Sequence, residues 1–289
     1  MAEHFASDWL ALREPVDHRA RAGGLLEPLL TWWGVARART GDQTLTVVDL
    51  GSGTGSNLRY LAPRLPGPQA WTLVDHDTAL LERVALPDTP RLTVSTLRRD
   101  LTGDDPQSAS AGHGAFASLI RPAAQPFPTS LVTASALFDL VSDVWLGRLA
   151  RAIAREGAAA LFALSYDGHI SWGKPDPDDE FVRAAVNAHQ RGEKGFGTAL
   201  GPTAGDAIEA AFHSEGYRTT RAPSPWRLGP AEAELTHQLV AGWCTAAAEQ
   251  RPDEREVITA WGERRRSSID AGTFELTVGH VDVLALPPG

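Results

Sequence analysis

Apolar and polar positions alternate along the chain in blocks that predict strands separated by helices. Five apolar runs have the length of buried strands, and helical patterns or turn-forming residues lie between them. These runs cover residues 45–49, 71–75, 92–97, 130–137 and 158–165. Residues 102–129, rich in Ser, Ala, Gly and Pro, predict a surface loop with a short helix near 116–120. Strands that alternate with helices are typical of a parallel sheet covered on both faces.

Residues 5–39 carry a helical pattern of apolar positions. Pro15 and the pair Gly23 and Gly24 are expected to divide this pattern into two helices, since proline and glycine interrupt helices. The dense polar segment 17–21 lies between the two pieces. We therefore predict an N-terminal helical cover at 1–41.

The second half of the chain predicts two more strands and two insertions. A sixth strand is expected at 217–222, and a last strand at 273–286, interrupted at Gly279. The excursion 166–200 follows the fifth strand, and a helical insertion at 229–268 follows the sixth. In a mostly parallel sheet, both insertions start at the carboxyl edge, where ligands bind, so we expect them to act as lids.

A loop with little side-chain bulk follows the first predicted strand. Gly51, Gly53 and Gly55 form a G-x-G-x-G sequence that begins two residues after Asp49, and a helix is expected from Asn57. Glycine tolerates positive φ angles and lets a ligand approach the backbone closely. A strand, a glycine loop and a helix N-terminus together favour a nucleotide-type pocket. The alternative is a tight turn between strand and helix with no ligand.

A carboxylate follows at the spacing that such a pocket needs. Asp75 ends the second predicted strand, 20 residues after Gly55. Doubly wound nucleotide-binding folds place at this position the acid that accepts hydrogen bonds from a ribose. The dinucleotide fingerprint G-x-G-x-x-G would instead need Ser56 as its third small residue. The glycine spacing therefore disfavours a nicotinamide-dependent oxidoreductase.

The glycine loop resembles motif I of the class I S-adenosylmethionine (SAM)-dependent methyltransferases, (D/E)-x-G-x-G-x-G, which Asp49 and the three glycines match without a gap. The resemblance covers residues 44–165. It implies an α/β, Rossmann-like sheet of seven strands in the order 3-2-1-4-5-7-6, flanked by helices, in a single domain over 1–289 that binds SAM. The cofactor-binding residues that it implies are Asp49, Gly51, Ser52, Gly53, Gly55, Asn57, Asp75, His76, Asp100, Leu101, Ser135, and Arg19 or Arg21 of the N-terminal cover.

Composition limits the classes of function. The chain has 289 residues and a formal net charge of −9, which argues against the clustered basic surface that nucleic-acid binding needs. Its main basic run, 264–266, is expected to be a solvated helix end. A single cysteine excludes an intrachain disulfide, and the Cys and His spacing predicts no metal site. Without a membrane-spanning apolar stretch or a signal-peptide pattern, the sequence predicts a cytoplasmic protein.

Three covers over one pocket mouth favour an enclosed site and a small-molecule acceptor, because a polymer needs an open groove. The resemblance implies methyl transfer to an oxygen or nitrogen atom of that acceptor, and a non-catalytic SAM-binding regulator is the alternative. Candidate general bases are His189, Tyr166 and His18. Candidate acceptor-binding residues are Phe138, Asp139, Asp167, Gln190 and Trp226.

Overall fold

A mixed sheet of eight strands organises the fold in the computed structural model, which describes residues 7–41, 44–102, 119–121 and 129–288. The strands are β1 (Leu45–Leu50), β2 (Gln69–Asp75), β3 (Leu92–Arg98), β4 (Leu131–Ser135), β5 (Ala159–Trp172), β6 (Arg218–Pro223), β7 (Trp226–Leu228) and β8 (Leu276–Leu286). Most of the predicted loop at 102–129 and the first six residues of the N-terminal cover lie outside the described residues.

The order of the strands across the sheet is β3-β2-β1-β4-β5-β8-β6. Strands β1 to β5 run parallel, and β8 lies antiparallel between β5 and β6. Because β8 takes the place of the predicted seventh strand, the predicted fold class and strand order are confirmed. The short β7, which the sequence did not predict, pairs with the beginning of β8.

The described helices are α1 (Ser7–Ala20), α2 (Leu26–Thr40), α3 (Ser56–Leu61), α4 (Thr78–Leu81), α5 (Asp143–Glu156), α6 (Asp179–Gln190), α7 (Ala204–Ser214), α8 (Ala233–Gln250) and α9 (Arg255–Asp270). Helix α5 shows how local sequence sets such bounds. The Ser142 side chain accepts a hydrogen bond from the Trp145 backbone N at 3.3 Å, and Gly157 ends the helix in a left-handed conformation. Within the described ranges, no helix is long and apolar enough to cross a membrane.

Alternate residues of β1 enter two different apolar clusters. Val48 and Leu50 pack in the cluster that contains α5 and α7, whereas Leu45 and Val47 pack in the cluster that contains α2 and α3. Successive side chains of a strand point to opposite faces, so the sheet is buried on both sides. This burial explains why β1 reads as a continuous apolar run rather than as an alternating pattern.

Strand β5 is longer than predicted. It continues to Trp172 by pairing with β8, so the excursion after it is shorter than the predicted 166–200. The pairing shifts register opposite Gly279, where a Cβ atom would overlap the Asp167 carboxylate. Gly279 therefore marks a bulge in the partner strand, and the predicted interruption of the last strand is wrong.

Helices α8 and α9 form the predicted insertion between the sixth and last strands, and they pack with α6 around a further apolar cluster. Arg265 of α9 is only 5% exposed. Its guanidinium pairs with Asp179 of α6 and lies over the Trp172 ring. The prediction that 264–266 is a solvated helix end is therefore wrong at Arg265, because this side chain joins α9 to the start of α6.

Candidate functional site

A pocket of about 1270 Å³, including its open mouth, lies at the carboxyl ends of β1, β2 and β4. Its walls come from α1, the glycine loop, the ends of β2 and β3, and the segments that follow β4 and α6. The lining residues are Leu10, Arg13, Asp17, Asp49, Gly51, Ser52, Gly53, Thr54, Ser56, Asn57, Asp75, His76, Asp77, Leu80, Asp100, Leu101, Thr102, Ser135, Ala136, Leu137, Leu140, Lys194 and Phe196. They include all the predicted cofactor residues except Gly55, Arg19 and Arg21.

The glycine loop adopts a backbone that other residues rarely adopt. Gly51, Gly53 and Gly55 have φ angles of 62°, 53° and 83°, in the left-handed region that favours glycine. The Gly53 backbone N donates to Asp75 Oδ2 at 2.8 Å, which fixes the loop to the end of β2. A Cβ atom on Gly53 would lie 3.2 Å from the Leu10 side chain. The missing side chain thus lets α1 lie close to the loop.

Asp49 is the last residue but one of β1 and lies fully buried in the pocket wall. Asn57 Nδ2 donates to Asp49 Oδ1 at 2.8 Å, but Asp49 Oδ2 has no hydrogen-bond partner among the described residues. Burial raises the pKa of Asp49 to about 7, although the Asn57 hydrogen bond and the Arg21 charge act to lower it. Ser52 Oγ, also in the pocket wall, has no partner within the same ranges. The pocket therefore offers an unused carboxylate oxygen and a hydroxyl to a ligand.

Two more carboxylates line the pocket at the ends of neighbouring strands. Asp75 Oδ1 accepts a hydrogen bond from the Asp77 backbone N at 3.0 Å. Asp100 Oδ1 accepts hydrogen bonds from the side chain and the backbone N of Thr102, and these bonds lower the pKa of Asp100. Together with Asp49, these acids give the pocket three carboxylates from three adjacent strands.

Helix α1 forms the wall that faces the glycine loop. It runs unbroken through Pro15, so the predicted division of the cover at this residue is wrong. Contacts on both sides of the proline hold the helix in place. Arg59 Nη2 donates to Glu14 Oε2 at 2.5 Å, and His18 Nε2 lies 3.2 Å from Ser56 Oγ. These tertiary contacts offset the backbone hydrogen bond that proline removes.

Arg13 lines the pocket, and sequence reasoning missed it. Its Nε and Nη2 donate to the Asp17 carboxylate at 2.9 and 3.2 Å, and its guanidinium lies 5.0 Å from the centre of the Trp226 ring. The sequence signal was the i, i+4 spacing of Arg13 and Asp17 on one helix face with Leu10. The expected break at Pro15 concealed this face.

The two arginines expected at the pocket lie elsewhere. Arg19 is exposed and donates to Glu232 Oε1 at 2.7 Å. Arg21 is buried behind the pocket, where it contacts Asp282 and Asn57. Neither side chain belongs to the pocket wall, because α1 ends at Ala20 and the chain turns inward there.

The three candidate bases lie outside the described pocket wall. His189 Nε2 lies 2.9 Å from Glu249 Oε2, on the side of α6 that faces α8. The Tyr166 hydroxyl donates to Asn187 Oδ1 at 2.7 Å, and burial raises the pKa of Tyr166, so the phenol keeps its proton at neutral pH. His18 contacts the pocket indirectly, through Ser56.

The five candidate acceptor residues also lie outside the described pocket wall. Phe138 is fully buried and packs on Phe162, with ring centres 4.0 Å apart. Trp226 is buried and donates from Nε1 to Asp17 Oδ1 at 3.0 Å. Their apolar surface belongs to the core, a role that the sequence pattern alone does not separate from ligand contact.

The remaining three acceptor candidates lie on three different elements. The Asp139 backbone oxygen accepts a hydrogen bond from Gly201 N, and Gln190 ends α6. Asp167 lies in the β5 bulge. The segment after α6 instead places Lys194 and Phe196 in the pocket wall, and neither residue was predicted from the sequence to belong to the site.

His280 is a buried histidine that the sequence analysis did not assign a role. Its ring packs against Trp226 and Tyr166, and its Nδ1 lies 3.1 Å from the Val278 backbone oxygen. Burial, with a smaller contribution from the Arg13 charge, lowers the pKa of His280 to about 3. The folded protein therefore holds this imidazole neutral while the unfolded chain protonates it below pH ~6.5.

Replacing His280 with Gln is expected to make the protein less sensitive to acid. In the wild-type protein, neutral His280 contributes to the free energy of unfolding. This contribution is fully present above pH ~6.5 and is lost as the pH falls towards 3. At pH 5 this loss amounts to about 2 kcal/mol. Urea denaturation at pH 8 and pH 5 measures the loss, with the part-exposed His237→Gln as control. An equal loss in His280→Gln and the wild-type protein would contradict the assignment.

Structural comparison finds solved structures that match nearly the whole chain at low sequence identity. A cyclopropane-fatty-acyl-phospholipid synthase-like protein from Lactobacillus casei covers 99% of this chain and 95% of its own, at 16% identity and a TM-score of 0.51. A cyclopropane synthase from Mycobacterium tuberculosis covers 97% and 94%, at 12% identity and a TM-score of 0.46. A SAM-dependent methyltransferase from Thiobacillus denitrificans, in complex with S-adenosylhomocysteine (SAH), covers 98% and 100%, at 16% identity and a TM-score of 0.43.

No protein-family model matches the sequence, and no curated protein matches it by sequence. The evidence for the fold is therefore structural. The strand order, with one antiparallel strand between the fifth and sixth, and the match to the Lactobacillus casei protein agree. The chain has the fold of the class I SAM-dependent methyltransferases.

Proposed function

We propose that this protein is a SAM-dependent methyltransferase that transfers a methyl group to an oxygen or nitrogen atom of a small molecule. The observation that carries the proposal is the buried Asp49 carboxylate, whose Oδ2 has no partner in the described part of the chain. An unpaired buried carboxylate oxygen is costly unless a ligand supplies a donor. The ammonium group of SAM is such a donor, and Asp49 is charged once the pH exceeds about 7.

The other carboxylates of the pocket fit the rest of SAM. We assign Asp75 to the ribose hydroxyls, and Asp100 with the Leu101 backbone to the adenine edge, because all three residues line the pocket. We assign the carboxylate of SAM to Arg13 instead of Arg19 or Arg21, because Arg13 alone of the three lies in the pocket wall. Its Nε and Nη2 are held by Asp17, which fixes the direction of the guanidinium.

The acceptor side of the pocket is small and partly apolar. Leu137 and Leu140 follow β4, and Lys194 and Phe196 close over the same mouth from the segment after α6. Walls from α1 and from this segment enclose the site, which supports a small-molecule acceptor rather than a polymer. Helices α8 and α9 contribute no lining residue in the described ranges, so we assign them to the support of α6.

SAM, when bound, supplies an electrophilic methyl group on its sulfonium. The protein then needs to hold the acceptor atom in line with that methyl group and to keep water out. None of the three candidate bases lines the described pocket. His18 lies nearest, behind Ser56, and we retain it as the candidate for removing a proton from an acceptor that carries one.

The position of all three candidate bases outside the described wall also favours the alternative, a regulator that binds SAM without turning it over. If the protein is an enzyme, incubation with methyl-labelled SAM and the small-molecule fraction of a cell extract should convert SAM to SAH. SAH should accumulate with the wild-type protein and not with Asp75→Asn, which alters the same pocket. SAM binding with no SAH formed from any fraction would support the regulator instead.

A further inference from the structure

A buried ion pair lies behind the pocket, between the end of α1 and β8. Arg21 Nε lies 3.3 Å from Asp282 Oδ2, and the two side chains are only 3% and 2% exposed. Asp282 Oδ2 also accepts from the Ala22 backbone N at 3.0 Å, and Asp282 Oδ1 from the Leu164 backbone N at 2.8 Å. Leu164 has a left-handed φ of 55° and lies in a separate register shift of β5, between Phe162 and Ser165. Asp282 thus fixes Arg21 to the centre of the sheet.

Arg21 Nη1, on the other side of the guanidinium, faces the pocket-lining residue Asn57. This Nη1 donates to Asn57 Oδ1 at 2.7 Å, and Asn57 Nδ2 donates to Asp49 Oδ1 at 2.8 Å. A guanidinium has donors only, so Arg21 determines which end of the Asn57 amide faces it. Thr133 Oγ1 donates to a backbone oxygen and accepts from Asn57 Nδ2 at 3.0 Å, which favours the same orientation.

We propose that Arg21 is a positioning residue for the ligand site: it fixes the Asn57 amide so that its NH₂ group binds Asp49 Oδ1 and leaves Oδ2 for the cationic group of a ligand. This inference rests on the proposed function. Without Arg21, the Asn57 amide loses the contact that holds its oxygen away from Asp49, and only Thr133 and Asp49 itself then favour this orientation.

The charges around Asp49 give Arg21 a second effect. Burial and the neighbouring Asp75 raise the pKa of Asp49, whereas the Asn57 hydrogen bond and the Arg21 charge lower it. These groups come from the end of β2, from α3 and from the segment after α1, and Thr133 of β4 is uncharged. Removing Arg21 therefore removes a positive charge that lowers the pKa of Asp49, so Asp49 keeps its proton to higher pH.

The pKa of Asp49 in the ligand-free protein tests this inference directly. We expect NMR titration of protein labelled with carbon-13 at the Asp carboxyl carbons to show a rise of about one unit or more in Arg21→Gln. Arg21→Lys, which keeps the charge, should rise less. Arg19→Gln is the matched control, because Arg19 is 55% exposed and paired with Glu232, and it should leave the pKa unchanged. An unchanged pKa in folded Arg21→Gln would overturn the inference.

A second variant covers the case in which Arg21→Gln does not fold. Asn57→Ala keeps the Arg21–Asp282 pair and removes only the link to Asp49, so it should also raise the pKa of Asp49, and an unchanged value would overturn the inference. Affinity for SAH measured against pH supplies the functional readout. Affinity for SAH should fall as the pH falls and Asp49 takes up its proton. The midpoint of this fall should lie at a higher pH in Arg21→Gln, by the same amount as the pKa of Asp49 rises. If the wild-type protein binds no SAH, the proposed function fails, while the ligand-free titration still decides the role of Arg21.

Discussion

Asp49→Asn is expected to make the ligand-free protein more stable and to weaken its binding of SAH. The carboxylate of Asp49 is buried, and its Oδ2 has no partner in the described ranges. Its pKa in the folded protein is about 7, against about 3.9 in an unfolded chain. The folded state therefore holds the proton more tightly, and stability falls as the pH rises between these two values. The neutral Asn side chain avoids this loss.

The size of the effect follows from the difference in pKa. Each unit corresponds to about 1.4 kcal/mol, so we expect Asp49→Asn to exceed the wild-type free energy of unfolding by about 2–4 kcal/mol at pH 8. The difference should become small near pH 4 and vanish at lower pH, where Asp49 is neutral in both states. Urea denaturation at both pH values measures it, with the exposed Asp88→Asn as control. A variant less stable than the wild-type protein at pH 8 would contradict the assigned cost of the buried charge.

The same substitution should reduce affinity for SAH about 10- to 100-fold at pH 8, the range expected for a lost hydrogen bond to a charged group. A variant that gains stability and loses binding would show that Asp49 serves ligand binding and not the stability of the fold. Equal affinity in Asp49→Asn and the wild-type protein would mean that Asp49 Oδ2 does not meet the ligand.

Arg265→Ala is expected to lower the free energy of unfolding by about 3–5 kcal/mol, because it leaves a partly buried carboxylate without its partner. Arg265 Nε and Nη2 both bind Asp179, Nη1 donates to the Lys174 backbone oxygen at 2.9 Å, and the guanidinium lies over the Trp172 ring. Trp261 Nε1 also donates to Asp179, at 2.9 Å, and it shares the acceptor Oδ1 with Arg265 Nε. The substitution therefore disrupts the junction of α6, α9 and the end of β5.

Urea denaturation measures this loss, and Arg251→Ala is the matched control. Arg251 is an exposed arginine between α8 and α9, so its replacement should change stability by no more than about 0.5 kcal/mol. An Arg265→Ala protein as stable as the control would contradict the anchoring role. Because α6 leads to Lys194 and Phe196 in the pocket wall, we also expect weaker acceptor binding in the anchor variant.

Local sequence was sufficient to predict the strand order and the core of the site. The glycine loop, Asp49 and Asp75 lie within one strand–loop–helix–strand unit, and their spacing alone places them at one sheet edge. Asp100 and Ser135 follow because parallel strands all end at that edge. In each case the side chain is positioned by its own strand, so no distant contact needs to be known.

Features that depend on distant contacts were not predictable in this way. Pro15 does not end α1, because contacts from Arg59 and Ser56 hold the helix on both sides. Because α1 continues past Pro15, Arg13 lies in the pocket wall, and Arg21, which directly follows the helix, lies in the core. Strand β5 likewise extends because β8, more than a hundred residues later, pairs with it.

Calorimetric titration of SAH into the wild-type protein at pH 8, with NADH in a parallel titration, tests the central claim most directly. We expect SAH to bind at one site per chain in the micromolar range or tighter, about −8 kcal/mol, and NADH to show no comparable binding. Tight binding of NADH with no binding of SAH would contradict it.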